Sequence, residues 1–327
     1  MGNSYPDRYN SSGVWKINEI SKNRQTNKNF PRGHSRMVQM GGQTPTYVNT
    51  MSYITMETLG NASDFGDMTT ATIEPAAVGN ATRGVFAGGR NGSTSSVYVI
   101  EYFTIMTTGN AADFGNLSAG RQRATSLNND TRGVFGGGII SPAIQNVIDF
   151  ITISSLGNAT DFGDMTTLFS AAGGQSNTRG VFMGGGPDYK ATIDFLEINT
   201  TGNSADFGDL TRGCRPTGNG TSNRIKAITM GAEINGGSDN IIEFINIAST
   251  GNGTDFGDMA AAVYASGCAA NSTKGIAMAG LSGGQSNVIQ FITWASKGNA
   301  VDFGDDTVAH HRNGACSNAG GGLNFTN

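Results

Sequence analysis

The sequence predicts an all-β fold, a six-bladed β-propeller, on the basis of three observations. The composition is rich in turns, since 49 of the 327 residues are glycine and only 14% are charged, against a usual ~25%. A segment of about 48 residues recurs six times. Each recurrence contains blocks that fit four short strands. A repeat of this length, built of strands, indicates the blades of a propeller.

Two motifs define the repeat. Gly-Asn-x-x-Asp-Phe-Gly recurs with its Asp at positions 64, 113, 161, 206, 255 and 302. Arg-Gly-Val-Phe-x-Gly-Gly begins at Arg83, Arg132 and Arg179, and degenerate copies begin at Arg36, Lys226 and Lys274. The six units cover nearly all of the chain after residue 35.

Each unit divides into four predicted strands. The Arg-Gly-Val-Phe block is β-branched and aromatic and stops at paired glycines, so it predicts the second strand. The block at residues 147–153, VIDFITI, is apolar on both faces and predicts a third strand with both faces buried. The Asp-Phe-Gly block predicts the fourth, outer strand. A less regular stretch such as residues 165–175 supplies the first, and no window shows a helical period.

The two ends of the chain predict how the ring closes. A sheet that is apolar on both faces must pack between two similar sheets, and six sheets in a ring satisfy every member. The first unit begins at its second strand, at Arg36, and residues 306–318 align with the first strand of the other units. We therefore expect the C-terminal strand to complete blade one. Residues 1–35 then form an N-terminal basic docking arm, and residues 36–327 form the propeller.

The repeat resembles two known groups of proteins. A period near 50 residues, a Gly-Gly after an apolar strand and an aromatic residue on the outer strand resemble kelch repeats, although kelch outer strands usually carry Trp where this chain carries Phe. The sequences GNATDFGD, RGVFGGG and NVIDFITI also resemble bacteriophage repeat proteins, in which such propellers occur among tail and other virion structural proteins. We expect the outer-strand phenylalanines to form a repeated core: Phe65, Phe114, Phe162, Phe207, Phe256 and Phe303.

The phage resemblance implies a non-enzymatic virion structural protein on the tail or particle surface. The leading expectation is a tail fibre or a receptor-binding, adhesive propeller, attached through its arm. The alternatives are a capsid decoration protein and a carbohydrate-active or oxidase propeller enzyme. A host cell-surface glycan or protein is the expected partner of the loops with the lowest repeat fidelity. These loops lie between second and third strands, at residues 90–96, 139–145, 187–191 and 232–239.

Charge separates the arm from the propeller. Residues 1–36 carry seven basic and two acidic side chains, a net charge of +5, whereas the remaining residues carry 14 basic and 23 acidic side chains. The arm is expected to dock on other virion proteins or on a second copy of the chain, and the alternative is a solvated tail folded over its own propeller. Its candidate interaction residues are Val14, Trp15, Ile17, Arg24, Lys28 and Arg32. The acidic propeller disfavours nucleic acid, and no apolar run is long enough for membrane insertion.

The candidate chemistry is sparse, and we expect no catalytic residue, cofactor or structural metal. Paired acids such as Asp161 and Asp164 could bind a cation, but we favour an interpretation in which Asp accepts backbone N–H bonds in a turn. The repeated arginines could bind anions, but we favour ion pairs with an Asp of the neighbouring blade. The histidines are His34, His310 and His311, too few for a repeated site. The three cysteines, which are Cys214, Cys268 and Cys316, are expected to be buried thiols.

Overall fold

The computed structural model describes residues 35–92, 96–166 and 170–319. Their regular secondary structure consists of β-strands, and no helix occurs within these ranges. The described residues therefore contain no helix of the length and hydropathy needed to cross a membrane.

The described residues form 28 strands. In the first third of the chain these are β1 (Arg36–Met40), β2 (Gln43–Thr44), β3 (Thr46–Tyr47), β4 (Thr50–Thr55), β5 (Ser63–Asp67), β6 (Ala76–Gly79), β7 (Arg83–Ala87), β8 (Val99–Thr104) and β9 (Ala112–Asn116). The middle third contains β10 (Thr125–Asn128), β11 (Arg132–Gly136), β12 (Ile139–Ile140), β13 (Ala143–Ile144), β14 (Val147–Thr152), β15 (Thr160–Asp164), β16 (Ala172–Gln175), β17 (Arg179–Gly185), β18 (Lys190–Glu197) and β19 (Ala205–Asp209). The last third contains β20 (Gly220–Ser222), β21 (Lys226–Ile234), β22 (Gly237–Asn246), β23 (Thr254–Asp258), β24 (Gly267–Ala270), β25 (Lys274–Leu281), β26 (Gln285–Thr293), β27 (Val301–His310) and β28 (Gly314–Ser317).

These strands build six four-stranded antiparallel blades. From the axis outwards, the strand orders are β28-β1-β4-β5 in blade 1, β6-β7-β8-β9 in blade 2, β10-β11-β14-β15 in blade 3, β16-β17-β18-β19 in blade 4, β20-β21-β22-β23 in blade 5 and β24-β25-β26-β27 in blade 6. Each innermost strand contacts the innermost strands of both neighbouring blades, and the cycle returns to β28. The predicted six-bladed β-propeller is confirmed. The two short hairpins, β2–β3 and β12–β13, lie in loops between second and third strands.

The C-terminal strand closes the ring, as predicted. β28 pairs antiparallel with β1, and Met37 lies opposite Ser317. The predicted closing segment was too long, because residues 306–310 still belong to β27, with His310 opposite Ser286 in blade 6. Residues 311–313 then carry the chain from β27, the outer strand of blade 6, to β28 at the axis.

The hydrophobic core consists of layers between blades. Phe65 of blade 1 packs with Phe86 and Phe103 of blade 2 in one buried cluster, and similar clusters fill the other interfaces. All six outer-strand phenylalanines are 1–3% exposed. Each makes an edge contact with an aromatic ring on the third strand of its own blade, with ring centroids 5.9–6.1 Å apart. Because apolar burial dominates folding free energy, each blade depends on its neighbours.

Five of the six repeated cations at the start of the second strands also connect neighbouring blades. The Arg132 guanidinium lies 4.3 Å from the centroid of the Phe150 ring, and its Nη1 donates to the carbonyl of Ile198 in blade 4 at 2.8 Å. Arg83 makes the equivalent bond to Ile153 at 2.9 Å. The expected ion pair with a neighbouring Asp was therefore wrong. The acceptor is a main-chain carbonyl just beyond the end of a third strand.

The Gly-Asn turn of each blade forms an inter-blade clamp with the Asp-Phe-Gly strand of the preceding blade. The backbone N–H of Gly109 donates to the carbonyl of Phe65 at 2.8 Å, and Asn110 Oδ1 accepts from the N–H of Asp67 at 3.0 Å. Gly66 has a φ of +143°, and a Cβ there would lie 2.5 Å from the carbonyl oxygen of Gly109. The close approach of the two backbones therefore requires glycine at this position.

The clamp gives the acidic residues of the motif a different role from the one expected. At all six interfaces the residue that follows Asp-Phe-Gly donates its backbone N–H. Because its side chain takes no part in this bond, Asn116 can replace Asp in one copy. The bonds, 2.9–3.1 Å long, join Asp67–Asn110, Asn116–Asn158, Asp164–Asn203, Asp209–Asn252, Asp258–Asn299 and Asp305–Asn61. The expected turn bond to an Asp side chain was wrong, because the Asn amide is the acceptor. Among described residues, no group of three or more acidic, His or Cys side chains could hold a metal ion.

Candidate functional site

Sequence variation between the blades is concentrated on one face of the disc. Because the strands are antiparallel, the loops between second and third strands lie on one face of the disc. The connections from the outer strand of one blade to the inner strand of the next lie on the same face, which we call the loop face. The two kinds of segment pair with each other there, as at Gln122 with Ile139 and at Arg215 with Glu233. The loops that were expected to be variable therefore share one face, and main-chain hydrogen bonds connect them to the segments between blades.

A ring of six residues with left-handed backbone surrounds the axis on the loop face. We call it the mouth ring, and its φ values of +53° to +62° belong to Glu74, Arg123, Ser170, Thr217, Ala265 and Arg312. Main-chain bonds join four of the six consecutive pairs, such as Ser170 N–H to the carbonyl of Arg123 at 3.0 Å and Thr217 N–H to that of Ser170 at 2.8 Å. Residues other than glycine seldom adopt this conformation, and such positions cluster at functional sites.

Two arginines of the mouth ring share one buried carboxylate. Glu74 Oε1 accepts from Arg123 Nε at 2.9 Å and lies 3.3 Å from Arg312 Nε. The Glu74 side chain is 3% exposed, whereas the side chains of Arg123 and Arg312 are 24% and 26% exposed. The pairing leaves one excess positive charge. No described residue accepts a hydrogen bond from the terminal Nη groups of either arginine.

A small cavity lies inside the mouth ring and is lined by atoms that lack partners. Its volume is about 30 Å³, and Glu74, Arg123, Ser170, Arg312 and Asn313 are among the residues that line it. Glu74 Oε2, Ser170 Oγ and Asn313 Oδ1 are buried and have no hydrogen-bond partner among the described residues. Buried polar atoms without a partner are costly. The volume and the three oxygens suit one water or one hydroxyl group.

Aromatic and charged side chains from blades 4, 5 and 6 extend the loop face beside the mouth ring. Arg215 Nη2 pairs with Glu233 Oε1 at 2.6 Å, and the Arg215 guanidinium lies 5.2 Å from the centroid of the Tyr189 ring. Burial, followed by the charge of Glu233, raises the pKa of Tyr264 above its usual range. Arginine and tyrosine are enriched in binding hot spots.

A second group of buried polar residues lies deeper, between the blades. Each third strand places one at its bulge: Ser52, Glu101, Asp149, Asp194, Glu243 and Gln290. Asp149 pairs with Arg121 at 2.6 Å, and neither side chain is more than 1% exposed. Burial lowers the pKa of Arg121, and the nearby Asp149 opposes that shift. The sequence pattern did not indicate these polar residues as a group, because each lies inside a block that is otherwise apolar.

The two described histidines and the cysteines are buried. His310 Nε2 lies 3.4 Å from Asp306 Oδ2 at the seam between blades 6 and 1. Burial lowers the pKa of His310 and raises that of Asp306. Burial, with a smaller effect of Arg312, lowers the pKa of His311 to about 4. The cysteines are free, buried thiols as predicted, and burial raises the pKa of Cys214 and of Cys316 to about 12.

The candidate residues of the arm lie outside the described residues; they are Val14, Trp15, Ile17, Arg24, Lys28 and Arg32. The mouth ring was not identified from the sequence, because its members lie in the least regular part of each unit. The signal was nevertheless present. Alignment of the units through these stretches places Glu74, Arg123 and Arg312 at one equivalent position.

Comparison with known proteins adds no assignment, because no protein-family model and no curated protein matches this chain.

Proposed function

We propose that this chain is a non-enzymatic receptor-binding propeller of a bacteriophage tail, which binds a host cell-surface glycan at the mouth ring and attaches to the virion through residues 1–35. The observation that carries the binding role is the set of three unpartnered buried oxygens beside two arginines. The assignment to a phage tail is supported by the resemblance of the repeat to bacteriophage virion proteins, and the +5 arm supports the attachment.

The chemistry of the mouth ring favours a glycan as ligand. A sugar hydroxyl can donate to Glu74 Oε2 or Asn313 Oδ1 and accept from an arginine Nη group at the same time. A cavity of about 30 Å³ admits one such hydroxyl but excludes an apolar side chain. The rest of the sugar would lie outside the ring, within reach of Tyr264 and the exposed loops.

The lining of the mouth cavity supports binding rather than hydrolysis. Glycosidases act through a pair of carboxyl groups on either side of the scissile bond. Among the described residues that line this cavity, Glu74 is the one carboxylate, and two arginines already engage it. This arrangement suits a group that positions a hydroxyl.

The glycan assignment is tested with the purified full chain on an array of bacterial surface polysaccharides. We expect selective binding to a small number of hydroxyl-rich glycans, without release of reducing sugar on prolonged incubation. Failure to bind any glycan in an array that includes the host's own polysaccharide would contradict it. Release of reducing sugar would support the carbohydrate-active alternative.

The virion assignment has a separate test. A density map of the particle that carries this chain should place the propeller on the tail, with the loop face directed away from it. Density on the capsid would instead support the decoration alternative. The absence of the chain from purified particles would remove the virion role but would leave the glycan test unaffected.

A further inference from the structure

A second cavity lies between blades 1 and 2, and the carboxylate of Glu101 forms part of its wall. The cavity has a volume of about 240 Å³, and Met68, Phe86, Tyr98 and Val99 supply much of its remaining lining. Glu101 is 4% exposed and accepts a bond from the backbone N–H of Thr69 at 3.0 Å and another from its hydroxyl. No described Lys, Arg or His forms an ion pair with it.

The next interface along the ring has an arginine in the equivalent place. Thr72 and Arg121 occupy the same position in the backbone. The N–H of Thr72 donates to the carbonyl of Val48, and that of Arg121 donates to the carbonyl of Val97. The carbonyl of Thr72 accepts from the N–H of Gly42, and that of Arg121 accepts from the N–H of Gly89. Arg121 reaches into blade 3, whereas Thr72 is too short to reach Glu101 by the same route.

Every acceptor that Arg121 uses has a counterpart on the wall of the Glu101 cavity. The guanidinium of Arg121 donates to Asp149 and to the carbonyls of Val147 and Phe135. The equivalent residues in blade 2 are Glu101, Val99 and Phe86, and all three line the cavity. The backbone geometry around them is also kept, since Gly88 N–H bonds to the carbonyl of Val99 as Gly137 N–H bonds to that of Val147.

A second interface fills the same kind of site with a guanidinium from a different position in the unit. Arg212 enters blade 5, where its guanidinium contacts Glu243 and donates to the carbonyl of Ile241 at 3.4 Å. Glu243 and Ile241 correspond to Glu101 and Val99. Two independent arginines therefore use this constellation, which indicates that the fold presents a guanidinium site at this depth in the interface.

We propose that the cavity at Glu101 binds a guanidinium group from outside the propeller, such as an arginine side chain of a partner protein. The carboxylate and the two carbonyls reproduce the acceptors of Arg121, and Met68, Phe86 and Tyr98 provide apolar surface for the stem of the side chain. The site is distinct from the mouth ring, and this proposal does not depend on the glycan or on the virion assignment.

The test measures binding of capped arginine, N-acetyl-arginine methylamide, to the full chain by calorimetry. Its uncharged isostere, N-acetyl-citrulline methylamide, is the control ligand. We expect capped arginine to bind at least tenfold more tightly than capped citrulline. Agmatine, tested in parallel, stands for a free small-molecule source; tighter binding of capped arginine supports a protein partner, and tighter binding of agmatine supports a metabolite at the same site.

Two variants, Thr72→Arg and Glu101→Gln, locate the binding at the cavity, and Thr200→Arg is the control. Thr72→Arg should restore an internal guanidinium, abolish binding of the probe and raise the melting temperature. Thr200→Arg adds the same charge on an exposed turn of blade 4 and should leave binding unchanged. Glu101→Gln should reduce binding at least tenfold, and its far-UV circular dichroism verifies that it is folded. Equal binding of both ligands, or unchanged binding of capped arginine by Thr72→Arg, would overturn the proposal.

Discussion

Asn110 Oδ1 of blade 2 accepts a hydrogen bond from the backbone N–H of Asp67 in blade 1, at 3.0 Å. The same pairing recurs at each of the six interfaces, including the seam where Asn61 meets Asp305 at 3.0 Å. Each copy of the Gly-Asn-x-x-Asp-Phe-Gly motif therefore belongs to two clamps. Its Gly-Asn part contacts the preceding blade, and its Asp-Phe-Gly part contacts the following blade. Its repetition follows from the need to bind both neighbours in the ring.

Loss of one clamp amide should weaken the ring measurably. Asn158→Ala removes the acceptor for the N–H of Asn116, and we expect the free energy of unfolding to fall by about 1 kcal/mol, the usual contribution of one hydrogen bond. Chemical denaturation measures the change. Asp161→Asn, which alters an exposed carboxylate of the same motif, is the control and should have little effect. An equal loss in both variants would contradict the role assigned to the amide.

The glycine of the clamp should tolerate no side chain. A Cβ on Gly163 would lie 2.5 Å from the carbonyl oxygen of Gly202, and the φ of Gly163 is +146°. Gly163→Ala should therefore destabilise the protein by about 1–3 kcal/mol or more, from strain and from separation of the strands. Gly284→Ala, at a site with open space around it, serves as the control. A Gly163→Ala variant as stable as the control would show that the backbones can move apart freely.

The outer-strand phenylalanines should contribute strongly to stability. Phe162 is 2% exposed and packs edge-on against Phe150, with ring centroids 5.9 Å apart. Phe162→Ala should lower the free energy of unfolding by about 3–5 kcal/mol because it leaves a cavity between two blades. Thermal denaturation gives the change in stability. A loss below about 1 kcal/mol would mean that the interface collapses around the gap.

Much of this architecture could be predicted because it repeats. Six copies of one motif indicated the number of blades, and the start at Arg36 indicated the closing strand. The functions of individual side chains were harder to predict. The sequence shows that Asn110 and Asp67 recur together, but it does not show that they bond across an interface rather than within a turn. That distinction depends on how closely neighbouring blades approach.

The candidate sites lie where the repeat fails, which is why periodicity did not reveal them. Glu74, Arg123 and Arg312 are equivalent in position but differ in charge, so they do not form a motif. The equivalence of Thr72 and Arg121 is visible in their matching backbone hydrogen bonds, and no sequence motif includes the two residues. Such differences between equivalent positions acquire meaning only when the structure shows what each position contacts.

The stability of the protein should fall in mild acid. Burial lowers the pKa of His311 to about 4, whereas the unfolded chain titrates near 6.5. Between these values the unfolded state binds the proton and the folded state does not, so stability decreases as the pH falls from about 6.5 towards 4. Denaturation at pH 7.5 and pH 4.5 should show a loss of about 1–3 kcal/mol from this histidine. His311→Asn should lose less, and an identical loss in both proteins would exclude His311 as the cause.

The most direct test of the receptor-binding account measures the affinity of the full chain for the bacterial surface glycan that it binds best on the array. Arg312→Gln removes one donor of the mouth ring and leaves Arg123 paired with Glu74. Lys297→Gln removes the same charge from an exposed turn outside the loop face. The account predicts that Arg312→Gln weakens glycan binding at least tenfold while Lys297→Gln binds like the unaltered chain. Unchanged binding by Arg312→Gln, or an equal loss in both variants, would contradict it.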